Sequence, residues 1–182
     1  MLDNIRANVH EGRALFRELR PYPKYALFLG IGFDGLPILV NTNAGSRVMI
    51  RGWYDFEVIK RASRWIKPDV EIVEITKQDF YSGKGADMIL ALEAWLDGRK
   101  QKKIALLIDS ISELEIQDAD IWESFRRTAA KTNKCRLSII VKGSLDHAPR
   151  EGWVDIEQSG DFYTFHENEN LQMEFYIPED LL

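Results

Sequence analysis

The amino-acid sequence predicts an α/β fold whose sheet is largely parallel and flanked by helices. Two short runs, 104–108 and 137–141, consist almost entirely of apolar residues, which is typical of strands buried on both faces of a parallel sheet. Helical patterns separate the strand candidates, as in chains that cross over from one parallel strand to the next. The two ends of the chain instead carry adjacent strand patterns. We therefore expect a β-hairpin at the start and antiparallel β additions at the C-terminus.

The N-terminal region is predicted to form a helix and a short linker. Residues 3–19 are mostly polar, with a thin apolar stripe at helical spacing. Pro21 and Pro23 then interrupt the pattern, because proline lacks the amide hydrogen that a helix needs. We expect residues 1–23 to form this helix and linker, and residues 24–182 to form a single α/β domain.

The first strands of that domain are predicted from apolar runs and a turn. Two apolar runs flank Asp34-Gly35, and glycine readily adopts the positive φ that hairpin turns require. A third strand ends at Gly52. Residues 54–66 then carry apolar side chains three or four positions apart, so we expect a helix that leaves Lys60, Arg61 and Arg64 facing solvent.

The remaining elements alternate between strand and helix until the C-terminal segment. The predicted order is a strand over 70–75, a loop with Gly83 and Gly85, a helix over 86–96 closed by Asp97-Gly98, a strand over 104–108, a helix around 121–129, a strand over 137–141, and short strands after residue 154. No internal repeat is evident.

Composition and charge limit the class of protein. The 182 residues, 45% of them hydrophobic, suffice for a buried core without disulfides, and a single cysteine excludes a disulfide framework within the chain. No apolar run approaches the ~20 residues that span a bilayer, so we expect a cytoplasmic protein without membrane insertion. The net charge of −5 conceals an uneven distribution, because residues 151–182 contain nine acidic residues and no Lys or Arg. We expect this acidic segment to close the fold as β strands.

Asp109 is the most informative single residue. It follows four apolar residues, 105–108, at the end of the most apolar strand, and ligands of open α/β sheets bind at the carboxyl ends of strands. An apolar strand followed by aspartate is also the form of a Walker B strand, whose carboxylate holds the Mg²⁺ of a bound nucleotide. The simpler alternative is that Asp109 caps the following turn by bonding to nearby amides.

The order of these motifs resembles the motor domain of the FtsK/SpoIIIE DNA-translocase family, which includes the ATPase modules of type VII secretion. The matching residues are Gly30, Gly32, Gly35, Pro37, Asp109, Glu113 and Leu114. The C-terminal FYTF…LQMEFYIPEDLL is similar to the closing β segment of that family, and the resemblance extends from Leu27 to the end. It implies a RecA-like P-loop core and an oligomer.

Departures from the family motifs imply a catalytically degenerate domain. Counting a Walker A loop from Gly52, the positions of the second glycine, the lysine and the hydroxyl residue hold Glu57, Val58 and Ile59. A carboxylate would repel phosphates, and the two β-branched residues are expected to pack into the core. The acidic residue after the Walker B aspartate is replaced by Ser110. We therefore expect no ATP hydrolysis and no bound ATP or Mg²⁺, with Asp109 as the ligand if Mg²⁺ does bind.

Lys142 lies where the family carries a glutamine after the next strand. Two interpretations remain open at this point. The lysine could supply a positive charge to a bound anion, or it could pair with Asp109 and fill the vacated site. We favour the ion pair, because a half-buried carboxylate without a partner is costly.

Basic residues cluster in two segments of the sequence and could contact DNA or a neighbouring subunit. They are Arg99, Lys100, Lys102, Lys103, Arg126 and Arg127. Contacts of lysine and arginine with phosphates are independent of base sequence. The alternative interpretation is that these residues only form solvated faces of loops and helices.

The preferred function is therefore a non-hydrolysing structural or regulatory subunit of a DNA-processing or secretion assembly, with a protein partner or further copies of itself. Two alternatives are a non-specific DNA-binding module and an unrelated α/β enzyme. The enzyme would use Asp109, Lys142 and the loop over 146–150. The three histidines lack the spacing of zinc ligands.

Overall fold

A computed structural model describes residues 12–18, 21–96, 103–117, 119–132, 137–143, 152–167 and 171–182. The helices are α1 (Gly12–Glu18), α2 (Glu57–Ile66), α3 (Lys77–Tyr81), α4 (Lys84–Leu96), α5 (Ile111–Gln117) and α6 (Ala119–Ala130). The strands are β1 (Ala26–Gly32), β2 (Pro37–Asn41), β3 (Arg47–Arg51), β4 (Glu71–Ile75), β5 (Ile104–Ile108), β6 (Leu137–Lys142), β7 (Val154–Ser159), β8 (Phe162–Glu167) and β9 (Leu171–Tyr176). A short 3-10 helix, Glu179–Leu181, follows β9.

All the strands belong to one 9-stranded sheet in the order β2-β1-β9-β8-β7-β3-β6-β5-β4. The pairs β4–β5, β5–β6, β6–β3 and β3–β7 are parallel. The pairs β1–β2, β1–β9, β7–β8 and β8–β9 are antiparallel. The sheet is therefore mixed, and the prediction of a largely parallel sheet is wrong. The reason is that the terminal strands pair within the main sheet and contribute as many pairs as its parallel part.

The predicted central strands lie where the sheet is covered on both faces. Every residue of β5 is buried. Ala105 and Leu107 pack on the face that carries α2, whereas Leu106 and Ile108 pack on the face that carries α4 and α6. This confirms the interpretation of the apolar run as a doubly covered strand.

The predicted closing segment connects two parts of the sheet. Strands β7, β8 and β9 lie between the N-terminal hairpin and β3, and their side chains Ile156, Tyr163 and Phe175 are buried in the core on the α2 face. The acidic side chains of this segment that the structure describes are all at least partly exposed. The segment thus consists of strands as predicted, antiparallel to one another, although β7 is parallel to its other neighbour β3.

Two short helices were not predicted from the sequence. Helix α3 begins with a capping box, in which the Thr76 hydroxyl accepts from the Asp79 amide and the Asp79 carboxylate accepts from the Thr76 amide. The second is α5, which replaces the turn expected after Asp109. Helices α3 and α5 are too short for a helical period to be visible in the sequence. The predicted helix α4 begins slightly early, at Lys84, inside the predicted glycine loop.

Helix α1 packs onto the α/β body rather than standing apart from it. Leu15 and Phe16 are buried in the core on the α2 face, and the Phe16 ring lies edge-on to Phe28, 5.0 Å between centroids. The Gly12 amide donates to the Asp180 carboxylate at 2.8 Å. The earlier residues of the predicted helix, like the Asp97-Gly98 stop, lie outside the described residues. Within the described residues, no helix is long and apolar enough to span a bilayer.

Candidate functional site

The loop between β3 and α2 corresponds to the Walker A position, and it is held by the C-terminal strands. Gly52 has a φ of +112°, and a Cβ there would lie 2.6 Å from Cβ of Gln158, so glycine is required for both conformation and space. The Trp53 amide donates to Gln158 Oε1 at 2.7 Å, and the Tyr163 hydroxyl donates to the Trp53 carbonyl at 2.6 Å. The backbone amide and carbonyl of Trp53 are therefore both hydrogen-bonded to side chains of the C-terminal strands.

Tyr54 fills the space beneath the loop. Its side chain is fully buried, and its hydroxyl donates to the Leu29 carbonyl at 2.8 Å. The rings of Tyr163 and Phe56 lie 5.4 and 6.1 Å from its own. Burial raises the pKa of Tyr54 well above its ordinary value, so the hydroxyl stays protonated and donates. An aromatic core thus supports the loop from below.

A carboxylate caps the helix terminus at which a phosphate would bind. The Glu57 amide donates to Asp55 Oδ1 at 2.8 Å, and the Val58 amide donates to the Asp55 carbonyl at 3.1 Å. In P-loop proteins the free amides of this helix terminus bind the nucleotide phosphates. Here Asp55 occupies one of these amides and places negative charge beside the others.

The residues at the lysine and hydroxyl positions of the Walker A motif are core residues. Val58 and Ile59 are both 0% exposed and pack with the core on the α2 face, as the sequence predicted. The lysine nearest to these two positions in the sequence is Lys60. Its ammonium pairs with the carboxylates of Glu57 and Glu74, and the distance to the Glu74 carboxylate is 2.6 Å. The hydrogen bond from Lys60 lowers the pKa of Glu57. Lys60, which the sequence predicted to face solvent, has a side chain that is 29% exposed and that also pairs with these two carboxylates.

Asp109 and Lys142 form the ion pair that the sequence favoured. Strands β5 and β6 are parallel neighbours in which Ile108 lies opposite Val141, so the next residue of each strand meets the other. The Lys142 side chain is 17% exposed and that of Asp109 is 35% exposed. The Lys142 ammonium also lies 5.1 Å from the centre of the Phe56 ring. The pair spans the carboxyl edge of the sheet beside the loop of Gly52.

This constellation does not fit Mg-ATP. The predicted Mg²⁺ ligand, Asp109, is paired with a lysine, and the positions of the Walker A lysine and hydroxyl residue hold the buried Val58 and Ile59. The carboxylate of Asp55 caps the phosphate-binding end of α2. No cluster of metal-ligating side chains is found within the described residues.

Glu113 lies in a separate contact with α3. Its carboxylate pairs with the Lys77 ammonium at 2.8 Å and accepts a hydrogen bond from the Tyr81 hydroxyl at 3.2 Å. The hydrogen bond from Lys77 lowers the pKa of Glu113. Ser110, at the position of the missing catalytic acid, has its hydroxyl 3.2 Å from that of Ser112. Glu113 therefore joins α5 to α3, although the motif resemblance had grouped it with Asp109.

Only some of the basic residues that were predicted to contact DNA or a neighbouring subunit are exposed at the surface. Lys103 is 7% exposed, with its ammonium over the Tyr25 ring and bonded to Asn43, so its assignment as a surface phosphate contact is wrong. It precedes β5 and packs against the start of β1. Arg126 and Arg127 are exposed on α6. Arg99, Lys100 and Lys102 lie outside the described residues, as does the loop over 146–150 of the alternative enzyme site.

Three contributors to the site were missed in the sequence. Asp55 carried a usable signal, since aspartate shortly before a helix commonly caps it. Gln158 and Tyr163 carried none, because they reach the loop from strands more than 100 residues further along the chain. Their role depends on the insertion of β7 and β8 beside β3.

Solved structures with the same fold include secretion ATPases. The cytoplasmic domain of the type VII secretion ATPase EccC of Thermomonospora curvata has a TM-score of 0.64 at 9% identity, over 86% of this chain and 27% of that one. The cytoplasmic domain of EssC has a TM-score of 0.57 at 10% identity, over 88% and 45%. The chain shares the fold of the FtsK/SpoIIIE-like secretion ATPase domains.

A third structure is of similar length to this chain. It is described only as an ATPase, with a TM-score of 0.61 at 12% identity, and 93% of this chain covers 94% of it. In contrast, the chain spans less than half the length of the EccC and EssC chains. No protein-family model matches the sequence, and no curated protein matches it. At these identities the likeness concerns the fold alone.

Proposed function

We propose that this chain is a catalytically degenerate FtsK-like P-loop domain that acts as a non-hydrolysing structural or regulatory subunit. Its place would be in a secretion assembly or a related DNA-processing assembly. The observation that supports the proposal is a set of internal contacts at the predicted nucleotide site: Asp55 accepts from the first amide of α2, Val58 lies in the core, and Lys142 pairs with Asp109.

The fold comparisons support the assembly part of the proposal. The matching part of EccC and EssC is one segment of a longer cytoplasmic ATPase chain, so a chain of this size corresponds to a single module. We propose that the module packs against an active ATPase of the same fold in the cytoplasm. A site that cannot bind nucleotide would hold a constant conformation, which suits a scaffold or a regulator.

A thermal-unfolding titration with Mg-ATP tests the nucleotide part. A ligand at 100 times its dissociation constant stabilises a fold by about 2.7 kcal/mol, which is a readily measured increase in Tm. We expect millimolar Mg-ATP to leave Tm unchanged relative to MgCl₂ alone, and no phosphate to be released. An increase in Tm that Asp109→Ala abolishes would show a functional nucleotide site and contradict the proposal.

Affinity purification at native expression levels tests the assembly part. We expect an ATPase of the FtsK type to co-purify, and the complex to persist when ATP is removed. A monomer that purifies without such an ATPase, before and after mild cross-linking, would exclude the assembly role while leaving the result of the Mg-ATP titration unaffected.

A further inference from the structure

A cavity of about 270 Å³ lies between α6 and the residues that precede β7. It is at the opposite end of β3 from the Asp109–Lys142 pair, because Arg47 begins that strand and Gly52 follows its end. The residues that give it its chemistry are Arg47, Trp122, Glu123, Arg126, Arg127 and Trp153. Its volume accommodates one or two amino-acid side chains, and a folded element would not fit.

The arginines around the cavity differ in whether their charge is satisfied. Arg127 makes two hydrogen bonds to the Glu93 carboxylate, at 2.7 and 3.2 Å, and Arg126 pairs with Glu123 at 2.8 Å. The Nε of Arg47 is buried and has no hydrogen-bond partner. The ion pairs formed between described residues include none with Arg47. Among the described residues, Arg47 is therefore the arginine of this cavity that no carboxylate pairs with.

The chemistry of Arg47 indicates which kind of group could bind in this cavity. A buried guanidinium donor without an acceptor is costly, and a planar guanidinium matches a carboxylate through paired hydrogen bonds. Gly152 lies directly against the guanidinium, in a space that a Cβ would fill. This close approach leaves no room for a side chain at position 152.

Two half-buried indoles supply an apolar wall. Trp122 stacks on Phe125 with 5.5 Å between ring centres, which fixes its orientation, and Trp153 lines the cavity at the start of β7. Tryptophan and arginine are the residues that most often dominate binding at protein interfaces. The cavity thus combines an arginine that no described carboxylate pairs with and an apolar surface formed by two indoles.

These features favour a peptide over a nucleic acid. Nucleic-acid binding relies on several lysines or arginines that neutralise successive phosphates. Here two of the three arginines already form ion pairs, which leaves a single arginine where a phosphate chain would need several. A single carboxylate beside an apolar side chain satisfies Arg47 and the indoles together.

We propose that this cavity binds an acidic peptide segment of a partner protein, in which the carboxylate of Asp or Glu reaches Arg47 and a neighbouring apolar side chain packs on Trp122 and Trp153. The site is separate from the predicted nucleotide site, and it does not depend on the proposed absence of ATP hydrolysis.

A display library of random peptides tests the proposal on the full chain. Peptides are selected on the wild type and counter-selected on Arg47→Gln, and their affinities are measured by fluorescence anisotropy. We expect the selected peptides to carry Asp or Glu beside a large apolar residue. Replacing that acid by its amide, or Arg47 by Gln, should weaken binding about tenfold or more, since hydrogen bonds between charged groups are the strong ones.

Matched variants separate binding from folding. Arg64→Gln removes an exposed arginine of α2 and should leave the affinity unchanged, whereas Trp153→Ala should lower it. If Arg47→Gln does not fold, Arg47→Lys keeps the charge but loses the paired geometry and should weaken binding in part. Failure to select any peptide that depends on Arg47, or equal affinity for acid and amide peptides, would overturn the proposal. Tighter, Arg47-dependent binding of a single-stranded oligonucleotide would also overturn it, in favour of a nucleic-acid site.

Discussion

Asp109 and Lys142 meet because two neighbouring parallel strands are in register, with Ile108 opposite Val141. The resulting ion pair replaces the arrangement in which a strand-end carboxylate holds Mg²⁺. Asp55 is a second example of an internal contact at a position where a ligand was expected. Its carboxylate accepts a hydrogen bond from the Glu57 amide. At the scale of single residues, the side chains at the predicted nucleotide site therefore bond to one another and to the backbone of the chain.

A double-mutant cycle measures the ion pair. We expect Asp109→Asn and Lys142→Met each to lower the free energy of unfolding, because each leaves a partly buried group without its partner. The double variant should recover part of the loss, with a coupling energy of about 1 kcal/mol that decreases in high salt. Urea unfolding at two salt concentrations is the measurement. Strictly additive effects would show that the two side chains do not interact in solution.

At the scale of elements, the helices on one face of the sheet are joined by charged contacts that the sequence did not reveal. Glu93 on α4 accepts hydrogen bonds from Arg127 and Ser124 on α6. Glu113 similarly joins α5 to Lys77 and Tyr81 of α3. The helical periods predicted α4 and α6 correctly, but which faces meet depends on their packing on the shared sheet.

The α4–α6 contact predicts a dependence of stability on pH. Hydrogen bonds from Arg127 and Ser124 lower the pKa of Glu93 from 4.5 to about 2. A lowered pKa in the folded state stabilises the protein above pH 4.5, and this contribution is lost as the pH falls towards 2. The difference in Tm between the wild type and Glu93→Gln should therefore be largest above pH 5 and shrink in acid.

Ser124→Ala provides the comparison for that experiment. It removes the second donor to Glu93 but leaves the bonds from Arg127, so its effect should have the same sign and be smaller. A difference between the wild type and Glu93→Gln that stays constant from pH 7 to pH 2 would contradict the assigned cause.

At the scale of the whole molecule, the acidic C-terminal strands join the N-terminal hairpin to the parallel strands. Phe175 is fully buried at this junction, stacked on Tyr163 with 5.3 Å between ring centres. Gly30 of β1 approaches the same ring so closely that a Cβ would collide with it. The closing segment is thus part of the core.

Truncation of Phe175 tests that role. We expect Phe175→Ala to reduce the free energy of unfolding by roughly 3–5 kcal/mol, the usual cost of removing a buried phenylalanine ring. Phe162→Ala on the adjacent strand should cost about 1 kcal/mol or less, because that ring is 42% exposed. Denaturant unfolding of both variants is the measurement. A loss for Phe175→Ala as small as the one expected for Phe162→Ala would show that the segment is not integrated into the core.

The sequence by itself determined the local elements and the core positions at the degenerate motif. Apolar runs identified β5 and β6, helical spacing identified α2, α4 and α6, and the position of Asp109 and Lys142 just after two apolar strands favoured the ion pair that the structure shows. Each of these depends on the period of one element, or on two strands that end at the same edge.

Only the tertiary structure decided how the terminal strands enter the sheet, and with them the sheet's mixed direction. It also decided that Lys103 is buried, that Gln158 and Tyr163 hold the loop after Gly52, and that the Nε of Arg47 is buried without a hydrogen-bond partner. The physical reason is that these contacts join residues far apart in the sequence. Their partners are set by strand order and packing, which no local periodicity encodes.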